Sequence, residues 1–193
     1  MSVTRDFPTL DFQDPRAWAA WLAKNYGKSA GVWLRMAKKA SGLKSVTHSE
    51  ALEVALCYGW IDGQAKSGDE NTWVQKFTPR GKKSIWSKIN CAKALALIEA
   101  GKMKPAGLAE IERAKEDGRW DRAYDSPRAA SVPEDLQAAL DGNARATAFF
   151  ATLNGQNRYA VLFRIQTAKK AETRARRIQQ FVAMLARGEK LHS

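Results

Sequence analysis

Cysteine and histidine are nearly missing from this 193-residue chain, with two of each. Cys57 and Cys91 are too few for a disulfide scaffold and form no CxxC pair. Each falls in an apolar helical pattern, the setting of a buried thiol. His48 sits in a helix-capping pattern and His192 close to the last residue, so position suggests no Cys-His or Ser-His pair. The chain has no Walker-type loop, no GxGxxG and no HExxH. No stretch approaches the roughly 18 uninterrupted apolar residues of a membrane helix. MSVTRDFPTLDF lacks the apolar core of a secretory signal. These absences predict a protein of the reducing cytoplasm, without membrane insertion, metal or cofactor.

Acid is also scarce locally. Between Asn71 and Ile98 there is none, against Lys76, Arg80, Lys82, Lys83, Lys88 and Lys93. From Arg158 to Arg187 eight basic residues face one acid, Glu172. The totals are 32 Lys plus Arg against 20 acids, a net charge of +12. Clustered positive charge favours an anionic small molecule or a nucleic acid as partner; a solvated basic surface has the same composition. What is abundant is tryptophan: seven, all before residue 121. With 45% hydrophobic residues, a chain of this length buries roughly 70% of its unfolded surface and needs no staple.

The local patterns predict an α+β fold: a small antiparallel sheet with several helices, then an all-helical C-terminal module. Asp14 and Pro15 open a helix over 14–25, with Trp18, Trp21 and Leu22 as its stripe. GVWLRMAKK (31–39) and TWVQKF (72–77) read as strands. Thr47 and Glu50 form a capping box for a helix that ends near Trp60, with Gly63 supplying the left-handed turn. Ser84 is the expected cap of a helix with Ile85, Ile89, Ala92 and Ala96 inside, and another helix spans about 105–117. DGRWDRAYDSPRAASVPED breaks the pattern and reads as a linker. The expected division is a domain over 1–120, a linker over 121–132 and a helical module over 133–193. The module holds two short helices, a third capped by Asn157, and a fourth over 171–187 with Ile178, Phe181, Val182 and Leu185 inside.

In this reading CYGWIDGQAKS (57–67) is a helix C-terminus, where unpaired carbonyls carry partial negative charge. Asp62 placed there needs a cation, from Lys66 or from Arg80, Lys82 and Lys83 of the turn TPRGKK. The far wall would be the N-terminus expected at Ser84, with Ser87 and Asn90 on its first turns, a place where free amides meet an anion. Arg80 offers a two-pronged grip on phosphate or carboxylate. Trp60, Trp73 and Trp86 offer faces for a ring or base. The expected ligand-binding set is therefore Trp60, Asp62, Gln64, Lys66, Lys76, Arg80, Lys83, Ser84, Trp86, Ser87 and Asn90. Core tryptophans, a polar turn and a simple helix cap explain the same residues without a ligand. On the C-terminal helix, Lys170, Arg174 and Arg177 share a face and form a second candidate, for polyanion contact. No catalytic residue is assigned; Asp62 is the best acid/base candidate, with Lys66 or Lys76 as partner.

Four stretches, ALCYGWIDGQAKS (55–67), FTPRGKKSIWSKIN (77–90), AYDSP (123–127) and TAKKAETRARRI (167–178), together resemble the YdeI/OmpD-associated, or bacteriocin-protection, family. The N-terminal region resembles a YdhG-like α+β fold, one compared with frataxin-type iron chaperones. The resemblance implies no catalytic activity. Iron binding would need a row of carboxylates, and in this basic chain the nearest group, Asp69 with Glu70, is only two residues. Three readings follow: a cytoplasmic, non-catalytic binder of an anionic ligand; a small-molecule enzyme using Asp62; or a protein-interaction module acting through the C-terminal helices. Either a monomer or a homodimer fits all three.

Overall fold

The computed structural model describes residues 7–192; the leader reading of the first six residues lies outside them. The chain forms two compact units. One runs to Ile85 and resumes from Asn90 to Asp121; the other takes Trp86–Ile89 and the chain from Arg122 onward.

The first unit contains β1 (Thr9–Asp11), α1 (Pro15–Asn25), β2 (Val32–Ala37), α2 (His48–Cys57), β3 (Trp60–Ser67) and β4 (Thr72–Pro79). Most of α3 (Lys88–Glu99) and all of α4 (Pro105–Glu116) follow. The strands form one sheet in the order β1-β2-β4-β3. The α+β class holds, but the sheet is mixed rather than purely antiparallel. β1 and β2 run parallel because α1 intervenes and carries the chain back to the same end before β2 starts.

Local chemistry explains the first two helices. Asp14 accepts a hydrogen bond from the Ala17 amide at 2.9 Å and Pro15 takes the first position of α1. Thr47 and Glu50 complete the capping box of α2, the Thr47 amide donating to the Glu50 carboxylate at 2.9 Å. Both helices then bury their apolar stripes on one sheet face: Trp18 and Leu22 from α1, Ala51 and Ala55 from α2, against Val32, Leu34, Met36, Trp60 and Phe77. The buried indoles are satisfied, Trp18 Nε1 donating to the Ala51 carbonyl at 3.1 Å and Trp60 Nε1 to the Tyr26 carbonyl at 3.0 Å.

Three sequence expectations are corrected. First, residues 57–67 are not a helix end followed by a polar turn. α2 stops at Cys57, Gly59 takes the left-handed conformation (φ +72°), and Trp60–Ser67 is strand β3. A side chain at Gly59 would come within 2.9 Å of the Ala106 carbonyl of α4, so glycine is required there for space as well as for torsion. Gly63 belongs to the irregularity in the β3–β4 pairing between Asp62 and Ala65. The buried Gln75 amide fills that bulge, donating to the Gly63 carbonyl at 2.8 Å.

Second, α3 starts at Lys88 rather than Ser84 and buries Cys91, Ala94 and Leu97. Ile85 and Ile89 of the expected inner face are 39% and 51% exposed. Ser84 does not cap it. Its hydroxyl accepts from the Gly81 amide at 2.9 Å and its own amide donates to the Gly81 carbonyl, which closes the basic turn on itself.

Third, α7 is capped by Asn154, whose side chain accepts from the Asn157 amide. Asn157, buried at 1% exposure, holds the backbone of His192 from both sides instead: it accepts from the amide at 2.8 Å and donates to the carbonyl at 3.2 Å.

The second unit is helical: α5 (Glu134–Asp141), α6 (Ala144–Thr152), α7 (Gly155–Gln166) and α8 (Ala171–Ala186). Its core gathers Leu136, Leu140, Phe150, Val161, Ile165, Ile178, Phe181 and Leu185. Ile178, Phe181 and Leu185 occupy the expected spacing, and Gly188 ends the turn after α8 with φ +72°. Among the described residues no helix is long and apolar enough to cross a membrane.

Candidate functional site

The pairing of β2, β4 and β3 sorts the candidate residues onto opposite faces, because side chains alternate along each strand. Val32 pairs with Phe77 and Leu34 with Gln75, so these four face the helices. Asp62 pairs with Phe77 and shares that inner face. Its carboxylate meets His48, the first residue of α2, with Nε2 and Oδ2 2.9 Å apart. The His48 ring lies beside those of Trp73 and Phe77 at 6.1 and 6.5 Å. The partner expected for Asp62 was a lysine or an arginine. The structure supplies His48 instead, a residue whose capping position had seemed to explain it.

Trp33 pairs with Lys76, Arg35 with Val74, and Lys66 with Val74 across β3. These residues share the outer face, turned away from α1 and α2. Lys66 Nζ lies 4.2 Å from the centre of the Trp33 ring. Lys76 Nζ lies 4.8 Å from the centre of the Phe7 ring. Arg35 is exposed and meets Asp11 at 3.5 Å. Trp33, Val74, Lys76 and Thr78 are half-buried, and Lys66 and Gln64 are exposed. The face therefore combines flat apolar surface with mobile ammonium groups resting on rings, each such pairing worth about 0.5–1 kcal/mol at an exposed site. Sequence reasoning named Lys66 and Lys76 but passed over Trp33 and Phe7. The alternation of Trp33 with Leu34 and Val32 was the available signal.

The rest of the expected site does not gather into one cleft. Trp60 and Trp86 are 1% and 2% exposed, so neither offers a face to a ligand. Arg80 is 5% exposed, and its Nη1 donates to the Ile85 carbonyl at 3.3 Å. Arg119, equally buried, donates from Nη1 to the Ser84 carbonyl at 2.7 Å and grips Asp117 through Nε. Arg113 donates to the Arg80 carbonyl and pairs with Glu110. Burial pushes the Glu110 carboxyl up, against the pull of Arg113, Arg119 and Arg80. The basic turn is thus clamped from within by arginines, leaving Lys82 and Lys83 on the outside. Ser87 is buried and forms a strand bridge with Tyr124 in the second unit, while Asn90 is half-buried on the first turn of α3.

The C-terminal candidate is corrected in the same way. Arg174 bonds both oxygens of Asp135, at 2.6 and 2.8 Å, and the Ile165 carbonyl at 3.1 Å. The Arg174 bond holds the Asp135 carboxyl below the usual carboxylate range. Arg177 donates to the Arg164 carbonyl. These two cations hold α8 against α5 and α7; of the three candidates, Lys170, at the start of α8, is the exposed one.

The architecture defines a class: an α+β unit with an open basic-aromatic sheet face, in a chain that also carries a four-helix unit. Residues 10–110, just over half of the chain, match the family model described as a domain of unknown function (DUF8412), and the chain belongs to that family. Residues 129–188 match the model of the bacteriocin-protection, YdeI or OmpD-associated family. No curated protein and no solved structure matches the chain.

Proposed function

We propose that this chain is a non-catalytic binder of single-stranded nucleic acid in the cytoplasm, using the outer face of the β-sheet. The proposal moves the anion site foreseen in the sequence from a pocket spanning Asp62 to Asn90 to the sheet, keeping Lys66 and Lys76. The observation that carries it is the stacking of Lys66 on Trp33 beside Lys76 on Phe7. A base displaces the ammonium from the Trp33 ring and takes its place by stacking. The released lysine then reaches the phosphate that accompanies the base. Aromatic platforms interleaved with cations bind any sequence, because every base has a π-face. The net charge of +12 supplies long-range attraction.

The test is fluorescence anisotropy with a labelled oligothymidylate. Trp33→Ala removes one stacking platform, about 1–3 kcal/mol, so the affinity falls roughly 5- to 150-fold. Lys66→Ala with Lys76→Ala weakens binding and flattens its dependence on salt, by about 0.7 in slope for each phosphate the protein ceases to neutralise. Unchanged affinity in both variants overturns the reading. The bacteriocin-protection role suggested by the match of residues 129–188, and the YdhG-like character read in residues 1–120, belong to this reading as further proposals.

A second reading rests on the His48–Asp62 pair. An imidazole held by a carboxylate is the usual arrangement of a general base. Asp62→Asn would abolish turnover of a substrate while leaving oligonucleotide binding intact.

A further inference from the structure

Within the first unit a cleft of about 420 Å³ opens between α1, α2 and the connection from α3 to α4. It lies among the helices, on a different element set from the sheet face of the proposed function. That volume is in the range of small-molecule sites. Its floor is apolar: Val54, Cys57 and Leu97 line it with Ala19 of α1. Lys102 and Lys104 stand at its rim.

The walls are fixed before any ligand arrives. The Lys102 and Met103 amides donate to the Leu97 carbonyl at 2.9 and 3.2 Å, which satisfies the end of α3. The Lys104 amide donates to the Cys57 carbonyl at 3.2 Å, tying the connection to the end of α2. Gly101 turns the chain with φ +64°.

The charges in the wall are unequal in what they leave available. Glu50 is engaged by Thr47 at 2.9 and 2.8 Å in the capping box, and Glu53 is paired with Lys93 at 3.0 Å. Among the described residues, neither Lys102 nor Lys104 forms an ion pair. Both lysines line the cleft together with Cys57, and their charges act to lower that buried thiol. Burial dominates at that thiol and pushes it up, keeping it protonated. The cleft therefore binds rather than attacks.

We infer that this cleft is a binding site for a small apolar monocarboxylate, its hydrocarbon body on Val54, Cys57 and Leu97 and its carboxylate between Lys102 and Lys104. The chemistry selects that class. An apolar floor rejects a sugar phosphate, whose hydroxyls would lose water without gaining partners. The rim has point-charge ammonium groups and, among its lining residues, no guanidinium fork of the kind that grips a phosphate with two parallel bonds.

Octanoate is the probe, with octanol and inorganic phosphate as the contrasting arms. Octanoate raises the melting temperature of the intact chain. It also slows the alkylation of Cys57 by N-ethylmaleimide at alkaline pH, which proceeds when the buried thiol opens to solvent, read by peptide mass spectrometry, while Cys91, also buried but outside the cleft, serves as the internal reference. Lys102→Gln combined with Lys104→Gln alters exposed side chains, preserves the fold, and lowers octanoate affinity about tenfold or more. No thermal shift with octanoate overturns the inference. So does a shift that survives the double substitution, or an equal one with octanol or phosphate. If Cys57 resists alkylation throughout, the thermal arm decides alone. Oligonucleotide binding by the double variant stays at the wild-type level, so failure here is distinguishable from failure of the sheet-face reading.

Discussion

Replacing Gly107 with alanine pits two effects of known sign against each other. Gly107 lies inside α4, where alanine gains about 1 kcal/mol of helix propensity. The added Cβ would lie 2.5 Å from the Cys57 carbonyl oxygen, 2.7 Å from that of Leu56 and 2.4 Å from Met103 Sδ. The methionine can swing aside. The two carbonyls are backbone at the end of α2, and one already accepts the Lys104 amide. Ordinary van der Waals separation begins at 3.4 Å, so α4 must retreat by about 0.9 Å. That retreat loosens Ile111 and Ala114, both of which the same helix buries. Overpacking of this kind costs about 1–3 kcal/mol, and more where backbone must move. Because backbone carbonyls are the obstacle, the cost falls in the upper part of that range, about 2–3 kcal/mol, and less the propensity gain the net loss is about 1–2 kcal/mol. For a chain of this size each kcal/mol shifts melting by about 2–4 °C, so the variant melts roughly 2–8 °C lower. Gly155→Ala is the control: it also lies in a helix, and its Cβ meets nothing within 4 Å. A Gly107→Ala variant that melts at or above the wild type would show that α2 and α4 do not approach closely, and the cleft built on that approach would go with it.

Acid should weaken the second unit through Asp125. Its carboxyl is held below the usual range chiefly by the Lys88 bond at 2.7 Å, assisted by Gln166 at 2.6 Å and opposed by burial. A depressed carboxyl stabilises the fold above its unfolded value, near 4, and loses that contribution as pH falls through the folded value. Asp125→Asn therefore costs about 1–2 kcal/mol at pH 7 in urea melts, with the gap closing in strong acid; a gap independent of pH refutes the assignment. Arg174→Ala is expected to lower stability by about 1 kcal/mol through loss of the Asp135 pair, with little effect on oligonucleotide affinity. Equal affinity loss at Arg174 and at Trp33 would mean that α8 also touches the ligand. Arg80→Ala is expected to destabilise the first unit by about 2–3 kcal/mol, since a buried donor to the Ile85 carbonyl is removed; a stable variant with weakened anion binding would return the basic turn to the site.

The caps of α1 and α2, the stripe of α8 and the α+β class are local properties. A side-chain oxygen reaches an amide three residues on, and an apolar stripe declares its period within two turns; nothing distant is needed to read them. Strand β3 is different. WIDGQAKS has no strict alternation, and it becomes a strand because β4 offers a pairing edge and Gln75 supplies the donor that its bulge requires. The phase of α3 likewise depended on its surroundings: Ile85, Ile89, Ala92 and Ala96 are as apolar as Cys91, Ala94 and Leu97, and only the neighbours decide which set is buried. The sequence by itself determined the positive charge, the helix caps and the lysines of the candidate site. Tertiary structure decided which rings those lysines rest on, that His48 faces Asp62, and that Arg80, Arg174 and Arg177 are engaged by carbonyls and a carboxylate, because these meetings depend on how the chain folds back on itself.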